Sequence, residues 1–148
     1  FLRMDFPRVP FTTDVRLFKK MSALGAKLTA LHLLDSPDLD TPRCRFDGKG
    51  DGSVGRGKKD GLRYSPDEKR VHINVSQYFA PVPEAVWSYQ VGGYQVCEKW
   101  LKDRQERTLS LNEIQTYQRV LTALHRTIEV QRRLDEVYEG VERQPSTP

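Results

Sequence analysis

The chain has 148 residues, 37% of them hydrophobic and 30% charged, and its 24 Lys plus Arg against 20 Asp plus Glu leave a net charge of +4. This is the size and polarity of one soluble domain. No window approaches the roughly 20 apolar residues that span a bilayer, and the run from Phe1 to Arg8 lacks the apolar stretch of a secretory leader, so a cytoplasmic protein without a membrane segment is expected.

In chain order, Phe6-Pro7-Arg8-Val9-Pro10-Phe11 is an extended lead-in, because two prolines fix φ and exclude helix. Thr13 or Asp14 can then cap a helix in which Val15, Leu17, Phe18, Met21, Leu24, Leu28, Leu31 and Leu34 recur at spacings of three and four, predicting one buried stripe. Ser36-Pro37 and the Asp/Pro cluster up to Pro42 stop it. Arg43–Asp47, Leu62–Tyr64 and the alternating run Arg70–Val75 predict the strands of a small antiparallel sheet. Between the first two lies a stretch from Gly48 to Gly61, in which six of fourteen residues are glycine; it predicts a flexible loop that resists burial. Pro83–Trp87 reads as a short helix with proline at its start. Gly92-Gly93 then breaks the chain before a second helix from Tyr94 to about Arg104, with Trp100 and Leu101 packing inward. Ser110-Leu111-Asn112-Glu113 is a capping box opening the longest helix, whose apolar face is Leu111, Ile114, Tyr117, Leu121, Leu124, Ile128, Leu134 and Val137 or Tyr138. Gly140 ends it, and 141–148 reads as a disordered tail.

Several motif matches fail on context. Gly50-Asp51-Gly52-Ser53-Val54-Gly55 satisfies G-x-G-x-x-G, but no helix follows to face a pyrophosphate. Gly52 to Lys59 nearly spells a P-loop, with Lys59 standing where a magnesium-binding hydroxyl is needed. Asp47–Gly52 hints at a calcium loop, but Lys49 and Lys58 occupy ligand positions. Cys44 and Cys97 have no zinc-ligand or disulfide spacing. His32, His72 and His125 fall in different elements with no nucleophile or carboxylate at a suggestive spacing, so no catalytic residue or metal site is predicted.

Two basic features remain. Residues 43–70 carry a net +4, from Arg43, Arg45, Lys49, Arg56, Lys58, Lys59, Arg63, Lys69 and Arg70. Such a region can follow a phosphate backbone, or it can be a solubilising hairpin. Residues 99–109 carry +2, from Lys99, Lys102, Arg104 and Arg107, just after Gly92-Gly93-Tyr94-Gln95. Glycines ahead of a helix N-terminus suit a phosphate, or they allow a tight junction between packed helices.

A family resemblance joins these features. Asp5–Phe11, Leu24-Gly25 with Leu31-His32-Leu33-Leu34, Arg70–Asn74, Gln77-Tyr78-Phe79 and Val82–Trp87 resemble the C-terminal specificity domain of Type ISP restriction-modification enzymes. The likeness is densest at Tyr89–Val96 with Lys99–Arg104, and at Leu109-Ser110 with Tyr117, and it covers most of residues 5–137. It implies a parent polypeptide that joins a nuclease, an ATP-driven translocase, an adenine N6-methyltransferase and a terminal target-recognition domain. The chain opens on Phe1 and is similar to that last part alone, with Asp5–Phe11 where it would leave the methyltransferase. The Asn-Pro-Pro-Tyr-type motif, the cofactor-binding motif and the translocase's nucleotide motifs are absent from it. S-adenosylmethionine, ATP and magnesium would belong to the parent and none to this segment.

The expectation is therefore one α+β domain over 1–148, with its target-recognition part at 5–140 and helices packed around a small antiparallel sheet. It would recognise a sequence in double-stranded DNA and position a target adenine for a separate domain. The candidate DNA-binding residues are the thirteen basic side chains just named, with Tyr94 and Gln95. The rival reading is a docking module that binds the methyltransferase or translocase domain without reading bases.

Overall fold

The computed structural model describes residues 12–142 except 58 and 60. Helix α1, Val15–His32, opens on Asp14, whose carboxylate accepts from the backbone N–H groups of Arg16 (2.8 Å) and Leu17 (3.3 Å). A 3₁₀ turn at Pro37–Leu39 leads to four three-residue strands: β1 Arg45–Asp47, β2 Arg63–Ser65, β3 Arg70–His72 and β4 Tyr78–Ala80. They form one antiparallel sheet in the order β1-β4-β3-β2. Helix α2, Glu84–Trp87, precedes a hairpin of β5, Gln90–Val91, and β6, Tyr94–Gln95, and then come α3, Val96–Lys102, and α4, Leu111–Glu142. The fold is α+β, as expected.

Register decides what the sheet does. Phe46 pairs with Phe79, Phe79 with Val71, and Val71 with Tyr64, so the middle residue of every strand lies on one face. That face meets α4: Phe79 stacks on Phe46 (4.7 Å between ring centroids) and sets its ring edge-on to Tyr117 of α4 (4.7 Å). Tyr117 also packs on Trp100 of α3 at 4.8 Å, and its hydroxyl donates to the Cys97 carbonyl at 3.1 Å. Strand β4 sits in the centre of the sheet, although no periodicity marks three residues that run straight into Pro81.

Four sequence expectations are corrected. The α1 stripe is not buried throughout: Leu31 is, but Val15 and Phe18 are 63% and 61% exposed, because α1 packs on α4 and on little else. Leu111 is likewise exposed, and α4 runs through Gly140. Gly92-Gly93 is not a junction between helices but a two-residue hairpin turn, with φ +57° and +81° as a type I′ turn requires, and α3 starts two residues later than predicted. Within the Gly48–Gly61 stretch, residues 48–51, 56, 57 and 59 are exposed, but Gly52, Val54 and Gly61 are buried and tie it to the rest of the fold. Val54 is buried, its N–H donates to the Arg107 carbonyl (2.9 Å), and its carbonyl accepts from Glu106 (2.8 Å). Gly55 donates to Ile73 (2.8 Å), Leu109 donates to Gly52 (2.9 Å), and the Gln77 side-chain oxygen holds the Gly52 N–H (2.8 Å). A Cβ on Gly48 would strike the Ser76 carbonyl, and one on Gly61 would lie 2.6 Å from the carbonyls of both Gly55 and Gly57. At Gly48, Gly50 and Gly61 the missing side chain serves close packing, which composition alone could not show, whereas a Cβ on Gly57 would meet nothing within 4 Å.

The capping box forms as predicted. Ser110 Oγ accepts from the Glu113 N–H (3.1 Å) and the Glu113 carboxylate from the Ser110 N–H (3.0 Å). The tail after 142 and the lead-in up to Phe11 lie outside the described residues.

Gly61→Ala is expected to cost about 1–3 kcal/mol, since two backbone carbonyls must move to admit the methyl group. Urea unfolding followed by circular dichroism measures it.

Candidate nucleic-acid interface

The sheet face opposite the core carries the first and last residue of each strand. The pairings Arg45 with Ala80, Asp47 with Tyr78, His72 with Tyr78, Arg63 with His72 and Ser65 with Arg70 set these side chains in rows. Arg45, Asp47, Glu68, Arg70 and Tyr78 line a polar surface groove of about 230 Å³. The Arg70 guanidinium lies 4.2 Å over the Tyr78 ring and donates to Glu68 at 3.2 Å, which fixes its plane. Arg45 is exposed and its side chain has no hydrogen-bond or ionic partner among the described residues. Arg63 donates through Nη2 to Nδ1 of His72 (3.3 Å), whereas its Nη1 is buried without a partner among the described residues. A buried guanidinium donor without an acceptor is costly unless something supplies one.

The remaining candidates scatter. Arg43 belongs to the framework: it donates to Glu129 of α4 (2.7 Å), lies against the His125 ring, and its backbone N–H is held by Thr122. Lys49, Lys59 and Lys69 are exposed, and Lys58 lies outside the described residues. Of the second basic feature, every cation has an acidic neighbour. Lys99 pairs with Asp103 (3.0 Å), Lys102 with Glu98 (3.0 Å), and Arg104 and Arg107 both with Glu113 (3.2 and 2.6 Å). Arg104 also stacks on Trp100 at 3.6 Å and donates to its carbonyl, so it too is framework. Arg56 faces Glu106 at 3.4 Å. The bonds between 52–55 and 106–109 bring the two basic segments side by side although they are far apart in sequence. Tyr94 is exposed, and the Gln95 amide is committed to the Trp87 carbonyl (2.6 Å).

Asp47, Glu68, His72 and Tyr78 were not singled out by the sequence. The signal was present in Arg-Phe-Asp, Arg-Tyr-Ser, Arg-Val-His and Tyr-Phe-Ala, each a polar or small residue on either side of an apolar one. Three residues are too short a run for that alternation to stand out.

Burial pushes the His72 imidazole below its ordinary pKa, helped by Arg63 and opposed by Glu68. His125 is lowered in the same way, by burial and then by Arg43. Burial would raise Glu129, but hydrogen bonds from Arg43 and Arg126 outweigh it, and Glu113 is lowered chiefly by the Ser110 backbone N–H. Among the described residues no group of three His, Cys, Asp or Glu side chains could hold a metal ion, and no helix is long and apolar enough to cross a membrane.

The family model of the Type ISP C-terminal specificity domain matches residues 1–133, and the chain belongs to this family. By the family's description it is a C-terminal specificity domain. A comparison with curated proteins gives no match. Among solved structures the chain is similar to one in the cryo-EM structure of the DrdV-DNA complex, with 21% identity and a TM-score of 0.50 over 99% of this chain. That likeness concerns the fold, and this chain spans 16% of the other's length.

Both histidines have folded-state pKa values below 6.5, so the unfolded chain takes up protons first as pH falls. Their contribution is present above 6.5 and is lost as pH drops through the folded values. Thermal melts between about pH 7.5 and 5.5 are expected to show a falling midpoint, and a His72→Gln/His125→Gln double variant a flatter profile.

Proposed function

We propose that this domain binds duplex DNA with the polar face of its four-stranded sheet and sets a target adenine before a separate methyltransferase domain of the same polypeptide. The observation that carries the reading is that Arg45 and Arg70, which line the polar groove, share with Arg63 the sheet face turned away from the core, and that the exposed Arg45 guanidinium has no partner among the described residues. A guanidinium fork suits both phosphate oxygens and the O6/N7 edge of guanine. Arg70, held flat by Tyr78 and Glu68, has the fixed geometry that base reading needs, whereas exposed Arg45 and the lysines at 49, 59 and 69 suit the backbone. The structure of the DrdV-DNA complex, whose chain shares this fold, supports the choice of DNA.

S-adenosylmethionine, ATP and magnesium belong, on this reading, to other domains of a longer enzyme, in keeping with Gly50–Gly55 and Gly52–Lys59 leading into a strand and not into the helix a phosphate site needs. On the same reading the parent carries methyltransferase, translocase and nuclease parts and works in the cytoplasm. One observation favours docking as an additional role for α1: Val15 and Phe18 are exposed on a helix that packs on α4 alone with more than marginal contact, and they would be covered by neighbouring domains.

Binding of this chain to random duplex DNA is expected to weaken with salt. Arg45→Ala is expected to lower the slope of log affinity against log salt by about 0.9, the share of one phosphate contact. A salt titration by fluorescence anisotropy reads this directly, and an unchanged slope would move the interface off the sheet.

A further inference from the structure

We infer that the β5–β6 hairpin is a second, specificity-determining DNA element that enters the major groove with an uncharged tip. This inference rests on the DNA-binding reading above and adds to it a contact that no basic residue makes. The hairpin is short and held tightly at its root. Gln90 pairs with Gln95 and Val91 with Tyr94, the Gln95 amide donates to the Trp87 carbonyl, and the Val96 N–H donates to Tyr89 (3.1 Å). Trp87 in turn stacks on Tyr64 of the sheet (5.4 Å), and α3 follows at once with Cys97 and Leu101 fully buried.

The tip, by contrast, stands clear of the protein. A Cβ placed on Gly92 or Gly93 would meet no atom within 4 Å. Val91 and Tyr94, directly opposite one another, are 59% and 65% exposed. A rigid hairpin that displays an aliphatic and an aromatic side chain as a pair is built to meet something. Two exposed side chains are far too little area for a stable dimer of this chain, which needs on the order of 1,200 Å². The chemistry fits DNA. No residue from Gln90 to Gln95 is acidic, so nothing there repels phosphate, and the Lys99 ammonium lies 5.9 Å from the Tyr94 ring. A two-stranded ribbon has the width of the major groove. Side-chain-free glycines at the turn let the backbone come close to the duplex, and an exposed ring can pack on base edges and thymine methyl groups in the groove.

Gln90 supplies the readout. It is exposed, and its amide has no side-chain partner among the described residues, unlike that of Gln95. A free carboxamide at the root of a ribbon can pair with the N6/N7 edge of adenine. The sequence analysis named Gln95 among the candidates and not Gln90; the bond to the Trp87 carbonyl makes Gln95 the anchor of the hairpin and leaves Gln90 to read.

The test uses the 148-residue chain and a library of randomised duplexes, with selected sites sequenced and affinities measured over a range of salt. Tyr94→Ala is expected to lose about tenfold in affinity with the wild-type salt slope, because the group removed carries no charge. Tyr94→Phe keeps the ring and is expected to stay within about twofold. Gln90→Ala is expected to relax preference at one base position by about tenfold, again without a change of slope. Thermal melts of the three variants confirm that the fold is intact, as exposed positions predict. If Tyr94→Ala and Gln90→Ala keep wild-type affinity and preference while Arg45→Ala still lowers the slope, the hairpin inference is wrong and the sheet-face reading stands. If the wild-type chain selects no duplex even at low salt, the DNA reading itself fails. A Tyr94→Ala variant that binds DNA normally but is released from the rest of its enzyme would make the tip a docking point and overturn the assignment.

Discussion

The structure depends on one continuous series of tilted and edge-on ring contacts. Phe46, Phe79, Tyr117 and Trp100 follow one another at 4.7, 4.7 and 4.8 Å, and the Arg104 guanidinium closes the series 3.6 Å from Trp100. These residues come from β1, β4, α4, α3 and the turn after α3, so a single run of contacts ties the sheet to both C-terminal helices. Tyr117 is its centre, fully buried, with its hydroxyl satisfied by the Cys97 carbonyl and its pKa driven well up by burial. Strands of three residues could not hold a sheet together by their own hydrogen bonds. Fixing their inner face on this aromatic series turns the polar residues outward, where Arg45, Asp47, Arg70 and Tyr78 line a groove.

The same constraint sorts the positive charge. Cations next to the core stack are drawn into it or into its neighbours: Arg104 onto Trp100 and Glu113, Arg43 onto Glu129 and the His125 ring. Those on the sheet's outer face have no core to join. Arg70 finds Tyr78 and Glu68, whereas among the described residues Arg45 finds no partner and Arg63 keeps one buried donor without an acceptor. Exposed ion pairs such as Lys99 with Asp103 contribute little and exchange readily, so they do not remove those lysines from reach of a phosphate. They do mean that the +2 of residues 99–109 is locally balanced, whereas much of the +4 of residues 43–70 faces outward.

A second polar system gives a structural role to residues that carry the family likeness. The Asn74 carboxamide accepts from the Ser76 and Gln77 N–H groups and donates to the Ser53 carbonyl, and Gln77 holds the Gly52 N–H. Together they lock the turn between β3 and β4 to the glycine-rich stretch. That stretch is bonded in turn to 106–109, next to the capping box that starts α4. The dense block from Tyr89 to Arg104 divides similarly: Gln95, Cys97, Trp100, Leu101 and Arg104 build the framework, and the tip around Gly92-Gly93 is left outside it.

Local chemistry made much of this legible in advance. The Asp14 cap, the Ser110/Glu113 box, the proline at the start of α2 and the 3.6-residue period of α1 and α4 act within a turn or two of chain, so the sequence alone determined them. The excess of cations over 43–70 was equally plain. What the tertiary structure decided is everything that needs two distant segments: the place of β4 between β1 and β3, the packing role of the glycines, and which arginines remain free. An arginine reads the same in sequence whether its partner is Glu129, eighty-six residues on, or no residue at all. Pairing of strands and burial of charge are properties of neighbours in space, and those neighbours exist only once the aromatic stack has closed.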